Sequence, residues 1–118
     1  MIEGPIILAV TGGRDYRDRD KVWRKLDKFW LKYRFHFLLH GGARGVDTFA
    51  DEWCDTKPVQ SLCARAHWER DGKRAGPMRN GMMGRLRPIR LVAFPGGTGT
   101  AHMRGVAERL GIKIINVR

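Results

Sequence analysis

Residues 91–100 read Leu91-Val92-Ala93-Phe94-Pro95-Gly96-Gly97-Thr98-Gly99-Thr100, and a segment with helical periodicity, Thr100 to Leu110, follows. An apolar run, a glycine-rich turn and a helix start in that order describe a strand, a tight loop and a helix N-terminus. The backbone N–H groups of a first helical turn have no intrahelical partner, and the helix dipole favours negative charge there. A loop without Cβ atoms lets a phosphate approach those amides closely. The stretch therefore predicts a phosphate site, and with it a nucleotide or a nucleotide-like ligand.

Moving outward, the same unit recurs. Ile6-Ile7-Leu8-Ala9-Val10-Thr11 is an apolar run ending in Gly12-Gly13, as expected of a strand buried on both faces of a parallel sheet. Asp18 or Asp20 can cap a following helix whose apolar side carries Val22, Leu26, Phe29, Trp30 and Tyr33. Lys21, Arg24, Lys25, Lys28 and Lys32 fall mostly on its other side. Phe37 to His40 reads as a second strand, Gly41 to Gly45 as a second glycine loop, and 46–55 as a helix. Val59 to Cys63 is a further strand, interrupted by Gln60 and Ser61.

Ala64 to Gly76 is polar, with Trp68 its only large apolar residue, and Pro77 to Met83 reads as a helix with proline in its first turn. A strand at Arg90 to Phe94, the helix behind it, Gly111 as its stop, and a strand at Ile112 to Val117 complete the chain. This alternation predicts an α/β fold: a doubly wound, mainly parallel sheet of about five strands with helices on both faces. The 118 residues, 42% hydrophobic, fit one domain spanning 1–118.

Twenty-three Lys and Arg against 12 Asp and Glu leave a formal charge of +11. Such an excess suits an anionic ligand or a polyanion, and suits a solvated basic surface equally, because the charges are spread along the chain. No apolar run approaches the ~20 residues that span a bilayer. The start Met1-Ile2-Glu3-Gly4-Pro5 lacks the features of a signal peptide, so a cytoplasmic protein is expected. Cys54 and Cys63 form no framework pattern, and no disulfide is expected. The spacing of Cys54, Cys63 and His67 is not that of a zinc site, and His36 with His40 lies on a strand, so no metal is expected either.

Three loops would converge at the carboxyl edge of the sheet: 11–16, 40–47 and 95–100. Arg14 and Arg44 can hold phosphate oxygens, and the Thr98 and Thr100 hydroxyls can add donors. Familiar fingerprints do not fit. The second loop lacks the Gly-Lys-Ser/Thr ending of a P-loop, and neither other loop completes Gly-x-Gly-x-x-Gly. Ser61, the sole serine, is in no Gly-x-Ser-x-Gly context. A fourth stretch runs from Trp68 through Gly76-Pro77-Met78-Arg79-Asn80. Trp68 there either covers a base or ribose or packs on the core as a lid, and Arg79 and Asn80 either close on the ligand or cap a helix.

Gly-Gly-Arg-Asp-Tyr at 12–16, His-Gly-Gly-Ala-Arg-Gly-Val-Asp at 40–47, Gly-Lys-Arg-Ala-Gly-Pro-Met-Arg-Asn at 72–80 and Phe-Pro-Gly-Gly-Thr-Gly-Thr at 94–100 together resemble the SLOG superfamily, most closely its YspA, cpYpsA-related branch. The resemblance implies a Rossmann-like fold and a site for nucleotides or derivatives such as NAD or ADP-ribose. It implies as ligand-contacting residues Gly13, Arg14, Gly42, Arg44, Asp47, Arg79, Asn80, Gly96, Gly97, Gly99 and Thr100, to which the reading of the loops adds Trp68. Related Lonely Guy-type hydrolases carry Glu three residues after the threonine of this glycine loop; here that position is Met103. Relatives of the DNA-processing protein A type bind single-stranded DNA on a basic surface.

The expected function is accordingly the binding of a small phosphorylated nucleotide ligand, for sensing, sequestration or processing, with no further cofactor. The alternatives are an N-glycosidic hydrolase, for which Asp47 is the first candidate carboxylate ahead of Asp15 and Glu69, and a non-specific single-strand nucleic-acid binder. Self-association as a homodimer or larger homo-oligomer is expected from the superfamily, with Trp23, Met82, Met83 and Met103 as candidate contacts.

Overall fold

Strand β1, Ile7–Thr11, buries Leu8, Ala9 and Val10 completely, as a strand must that has neighbours on both edges and helices on both faces. The computed structural model describes residues 4–118. The reading of a missing signal peptide rests on residues 1–5, of which the first three lie outside the described residues. From β1 the chain runs through α1 (Arg19–Tyr33) to β2 (Phe37–His40), and through α2 (Val46–Cys54) to β3 (Gln60–Cys63). A short α3 (Trp68–Asp71) and a 3₁₀ turn (Gly72–Arg74) lead into α4 (Ala75–Arg85). Then follow β4 (Arg90–Ala93), α5 (Thr98–Arg109) and β5 (Lys113–Asn116).

The five strands lie in the order β3-β2-β1-β4-β5, and every pairing is parallel, with Ala9 level with Leu39 on one side and Leu91 on the other. Alternation along the strands then divides the core in two. Leu8, Val10, Leu38, Val92 and Phe94 face α1 and α2, while Ala9, Leu39 and Leu91 face α4 and α5. Each side chain buried in this way contributes about 1.5–3 kcal/mol by leaving water. The fold is thus Rossmann-like, with helices on both faces. The chain proceeds from β1 outward to β3 and then crosses back to β4 on the other side of β1. The crevice beyond the carboxyl ends of β1 and β4 is therefore a topological switch point, the place where such sheets accept ligands.

Local signals act as read at α1, where Asp18 accepts from the Lys21 amide at 3.0 Å. Elsewhere the structure differs from the sequence reading. The polar stretch 64–76 contains α3 and the 3₁₀ turn, and α4 starts at Ala75 and runs to Arg85 instead of spanning 77–83. No apolar period marks α4 because Gly76, Gly81 and Gly84 interrupt it. Gly84 is there for packing: a Cβ would stand 2.6 Å from Val106 of α5 and 2.7 Å from Leu110, the C-cap of that helix. Helix α5 begins at Thr98, two residues earlier than the glycines suggest.

The candidate self-association residues also need correction. Met83 and Met103 are buried between α4, α5 and the sheet, and Trp23 is partly buried with its indole N–H donated to the Phe49 carbonyl. Only Met82 of the four is open to solvent. Both cysteines are free, Cys54 buried and Cys63 exposed. Among the described residues no helix is long and apolar enough to cross a membrane, and no three His, Cys, Asp or Glu side chains gather as a metal site requires.

Candidate functional site

The loops after β1 and β4 are joined directly. The Gly13 amide donates to the Pro95 carbonyl at 2.9 Å, and the Gly13 carbonyl accepts from the amides of Tyr16 at 3.3 Å and Val46 at 3.4 Å. Gly13 thereby ties three strand ends together, and over them opens a cleft of about 960 Å³. That is ample for a nucleotide-sized ligand.

The glycines around this cleft divide into two kinds. A Cβ on Gly12 would collide with Val46, one on Gly41 with the Arg79 guanidinium, one on Gly45 with the Gly13 carbonyl, and one on Gly96 with Thr100 and the Gly13 amide. At Gly45 and Gly96 the obstacle includes backbone and packing requires glycine, whereas at Gly12 and Gly41 it is the side chains of Val46 and Arg79. At Gly97 and Gly99 a Cβ would meet nothing within 4 Å, and neither residue has a positive φ. Nothing in the fold requires glycine there. Gly97 is also the N-cap of α5, and the first intrahelical bond runs from the Ala101 amide to the Gly97 carbonyl. The amides of Thr98, Gly99 and Thr100 thus stand at the cleft without a side-chain cap.

The second glycine loop is built differently. Asp47, buried at the start of α2, accepts through Oδ2 from both the Gly41 and Ala43 amides, each at 3.2 Å. The intervening Gly42 amide donates to His40 Nδ1 at 3.0 Å. An acceptor Nδ1 leaves the proton on His40 Nε2, which lies 2.8 Å from the Ser61 hydroxyl, and that hydroxyl donates in turn to Asp51. The amides of Gly41, Gly42 and Ala43 are therefore taken by the protein itself. Burial pushes the Asp47 carboxyl above its ordinary value, opposed by the Ala43 amide, His40, Arg79 and the Gly41 amide.

Arg79 and Asn80 sit in the body of α4, not at its start. Arg79 donates to the Gly41 carbonyl at 2.6 Å and to Asn80 Oδ1 at 2.9 Å; Asn80 donates to the Gly99 carbonyl at 3.3 Å and to His102 Nδ1 at 3.0 Å. One pair of side chains thus braces the second loop against the α5 turn. Residues 6–70, more than half of the 118, match the family model described as the YspA, cpYpsA-related SLOG family. The chain belongs to that family. This SLOG chain is 38% identical over 117 residues to the Gene 61 protein of Mycobacterium phage D29, covering 92% of this chain and 94% of the relative. The X-ray structure of TM1055, a Northeast Structural Genomics Consortium target, shares the fold, with a TM-score of 0.70 at 16% identity over 92% of this chain and 72% of that one.

Most residues anticipated from the sequence line the cleft: Gly13, Arg14, Asp47, Arg79, Asn80, Gly96, Gly97, Gly99 and Thr100 from the SLOG pattern, and Trp68 from the reading of the loops. Gly42 and Arg44 do not; they border a smaller adjoining depression. Trp68 is half exposed and belongs to neither core cluster, which removes the lid-on-core reading. Its ring covers Gly76, and the Arg14 guanidinium stands 5.8 Å from its centre. The SLOG cleft also contains Tyr16, Lys73 and His102, none of which was singled out as a ligand residue. Tyr16 and Lys73 lay inside the quoted motifs. His102 follows the motif by two residues, and only the pitch of α5 turns it toward Asn80.

Proposed function

We infer that the protein binds a nucleotide or nucleotide-derived ligand, with a phosphate at the N-terminus of α5 and the nucleoside along the wall formed by Arg14, Trp68 and Lys73. One observation carries this reading: Gly97 and Gly99 lack side chains where the fold has room for them, beside uncapped helix amides. Membership of the SLOG family supports the ligand class, and the bases, phosphates and derivatives it accepts are to be found by a thermal-shift screen. AMP, ADP-ribose, NAD and cyclic nucleotides should be compared with a single-stranded oligonucleotide. At a hundred times its Kd a bound ligand raises stability by ~2.7 kcal/mol, which such a scan resolves. If none of the small molecules shifts the transition, the reading fails.

Binding without turnover is the better supported form of this function. Cleavage of an N-glycosidic bond develops positive charge on ribose and calls for a carboxylate, whose acid–base work is worth ~10²–10⁴-fold. Met103, at the position where the hydrolases have glutamate, is buried against α4 and the sheet. Asp47 is held by two loop amides, and the Asp15 side chain is 97% exposed. Free base released from AMP, or nicotinamide from NAD, should therefore stay near the uncatalysed rate. Multiple turnovers that disappear in Asp47→Asn would instead make Asp47 catalytic.

The charge of +11 gives nucleic acid an electrostatic path to this protein. Binding driven by counterion release alone should be sequence-independent and fall steeply between about 50 and 200 mM salt. A complex that survives high salt with a preferred sequence would make nucleic acid the principal ligand.

A further inference from the structure

Beside the main cleft lies a second depression of about 330 Å³, continuous with it through Arg14, Trp68 and Arg79 and bordered further out by Arg44 and Arg65. Four guanidinium groups thus surround one small hollow. Among the described residues the only ion pair any of them makes is Arg44 with Asp15, at 3.5 Å with both side chains largely exposed, while the buried Asp47 acts on Arg79 from a longer distance. The exposed pair neutralises little. Among the described residues neither Arg14 nor Arg65 has a carboxylate within reach.

In the loop at the floor of this hollow, Asp47 and His40 hold the amides of Gly41, Gly42 and Ala43. The positive charge around the hollow comes from arginine side chains. Arg79 cannot turn away to relieve the crowding of charge, since it is fixed to the Gly41 carbonyl and to Asn80. Like charges kept together in a concavity, with one tethered, describe a site completed by a ligand anion.

We propose that this arginine depression is a second phosphate subsite, so that the ligand is a nucleotide carrying a second phosphate separated from the first by its ribose. The proposal rests on the nucleotide reading of the main cleft: the first phosphate meets the α5 amides, the nucleoside lies against Trp68, and the second phosphate meets Arg44 and Arg65. It excludes ligands that end at one phosphate as the best binders.

Isothermal titration of the full chain with AMP and with adenosine 3′,5′-bisphosphate tests this. The bisphosphate should bind about tenfold more tightly, the gain of one charge-assisted contact set. In the double variant Arg44→Ala/Arg65→Ala the advantage should shrink to within about twofold. In Arg24→Ala/Lys28→Ala, which removes the same charge from the outer side of α1, it should persist. Equal affinity of the native protein for both probes, or an advantage lost equally in both double variants, overturns the subsite. Failure of both probes to bind overturns the nucleotide reading beneath it, and binding of AMP unchanged in Gly97→Val moves the first phosphate away from the α5 amides and overturns the two-phosphate arrangement with it.

Discussion

Gly97→Val should abolish ligand-induced stabilisation, ~2.7 kcal/mol at a hundred times Kd, while leaving the unliganded protein folded. The two halves of this expectation come from different observations. A Cβ at Gly97 meets no atom of the protein within 4 Å, and its φ of −98° is outside the left-handed region that favours glycine. The apo cost is that of a poor N-cap, about 1 kcal/mol. The added methyl groups, however, occupy the space through which a phosphate must reach the Thr98, Gly99 and Thr100 amides. Gly96→Val is the contrasting case. Its Cβ would collide with Thr100 and the Gly13 amide, so it should lower the melting temperature without ligand. Unchanged ligand affinity in Gly97→Val would move the site elsewhere.

Asp47→Ala should lower stability by about 2–4 kcal/mol, because it leaves the Gly41 and Ala43 amides without their acceptor. Both amides donate to the same oxygen, which an asparagine carbonyl can replace, so Asp47→Asn should cost less than half as much. Charge then separates the native protein from the asparagine variant. The folded state raises the Asp47 pKa above its unfolded 3.8, so the folded protein holds this proton longer than the unfolded one does. Its contribution is accordingly fully present below about pH 3.8 and lost as pH rises through the folded value. The stability of Asp47→Asn relative to native should improve across that same rise. Equal losses in the alanine and asparagine variants, measured by denaturant unfolding at several pH values, would show that the amide bonds are not what Asp47 supplies.

How far the sequence carries the reader depends on the kind of signal. Strands β1, β2 and β4 were legible because a buried parallel strand is a short apolar run, and here glycine closes each loop entry. Asp18 announced α1 by its own capping chemistry. Helix α3 was not legible, since it buries no residue and leaves no apolar period. The glycines mark the sharper limit. Gly96 and Gly97 are adjacent and chemically identical, yet one is required by packing and the other faces open space, a distinction that depends on where Thr100 and Gly13 arrive. The second loop resembles a phosphate cradle in letters, but its first three amides are engaged within the protein. That its amides bind Asp47 and His40 follows from the return of α2 and β2 to the same point.

The bond from the Gly13 amide to the Pro95 carbonyl has a consequence for the order in which the molecule can form. Strand β1 pairs early with β2, a neighbour in sequence, but meets β4 only after the intervening two thirds of the chain has been made. Contacts between such distant segments form slowly, since a large loop must close before they contribute anything. A chain emerging from the ribosome can hold β1, β2 and β3 together with the arginines at 14, 44 and 65 while the turn that receives the phosphate is still unmade. Ligand competence therefore arrives only once β4 and the turn into α5 have been made, and a nucleotide present at that moment would act on the closing step of folding.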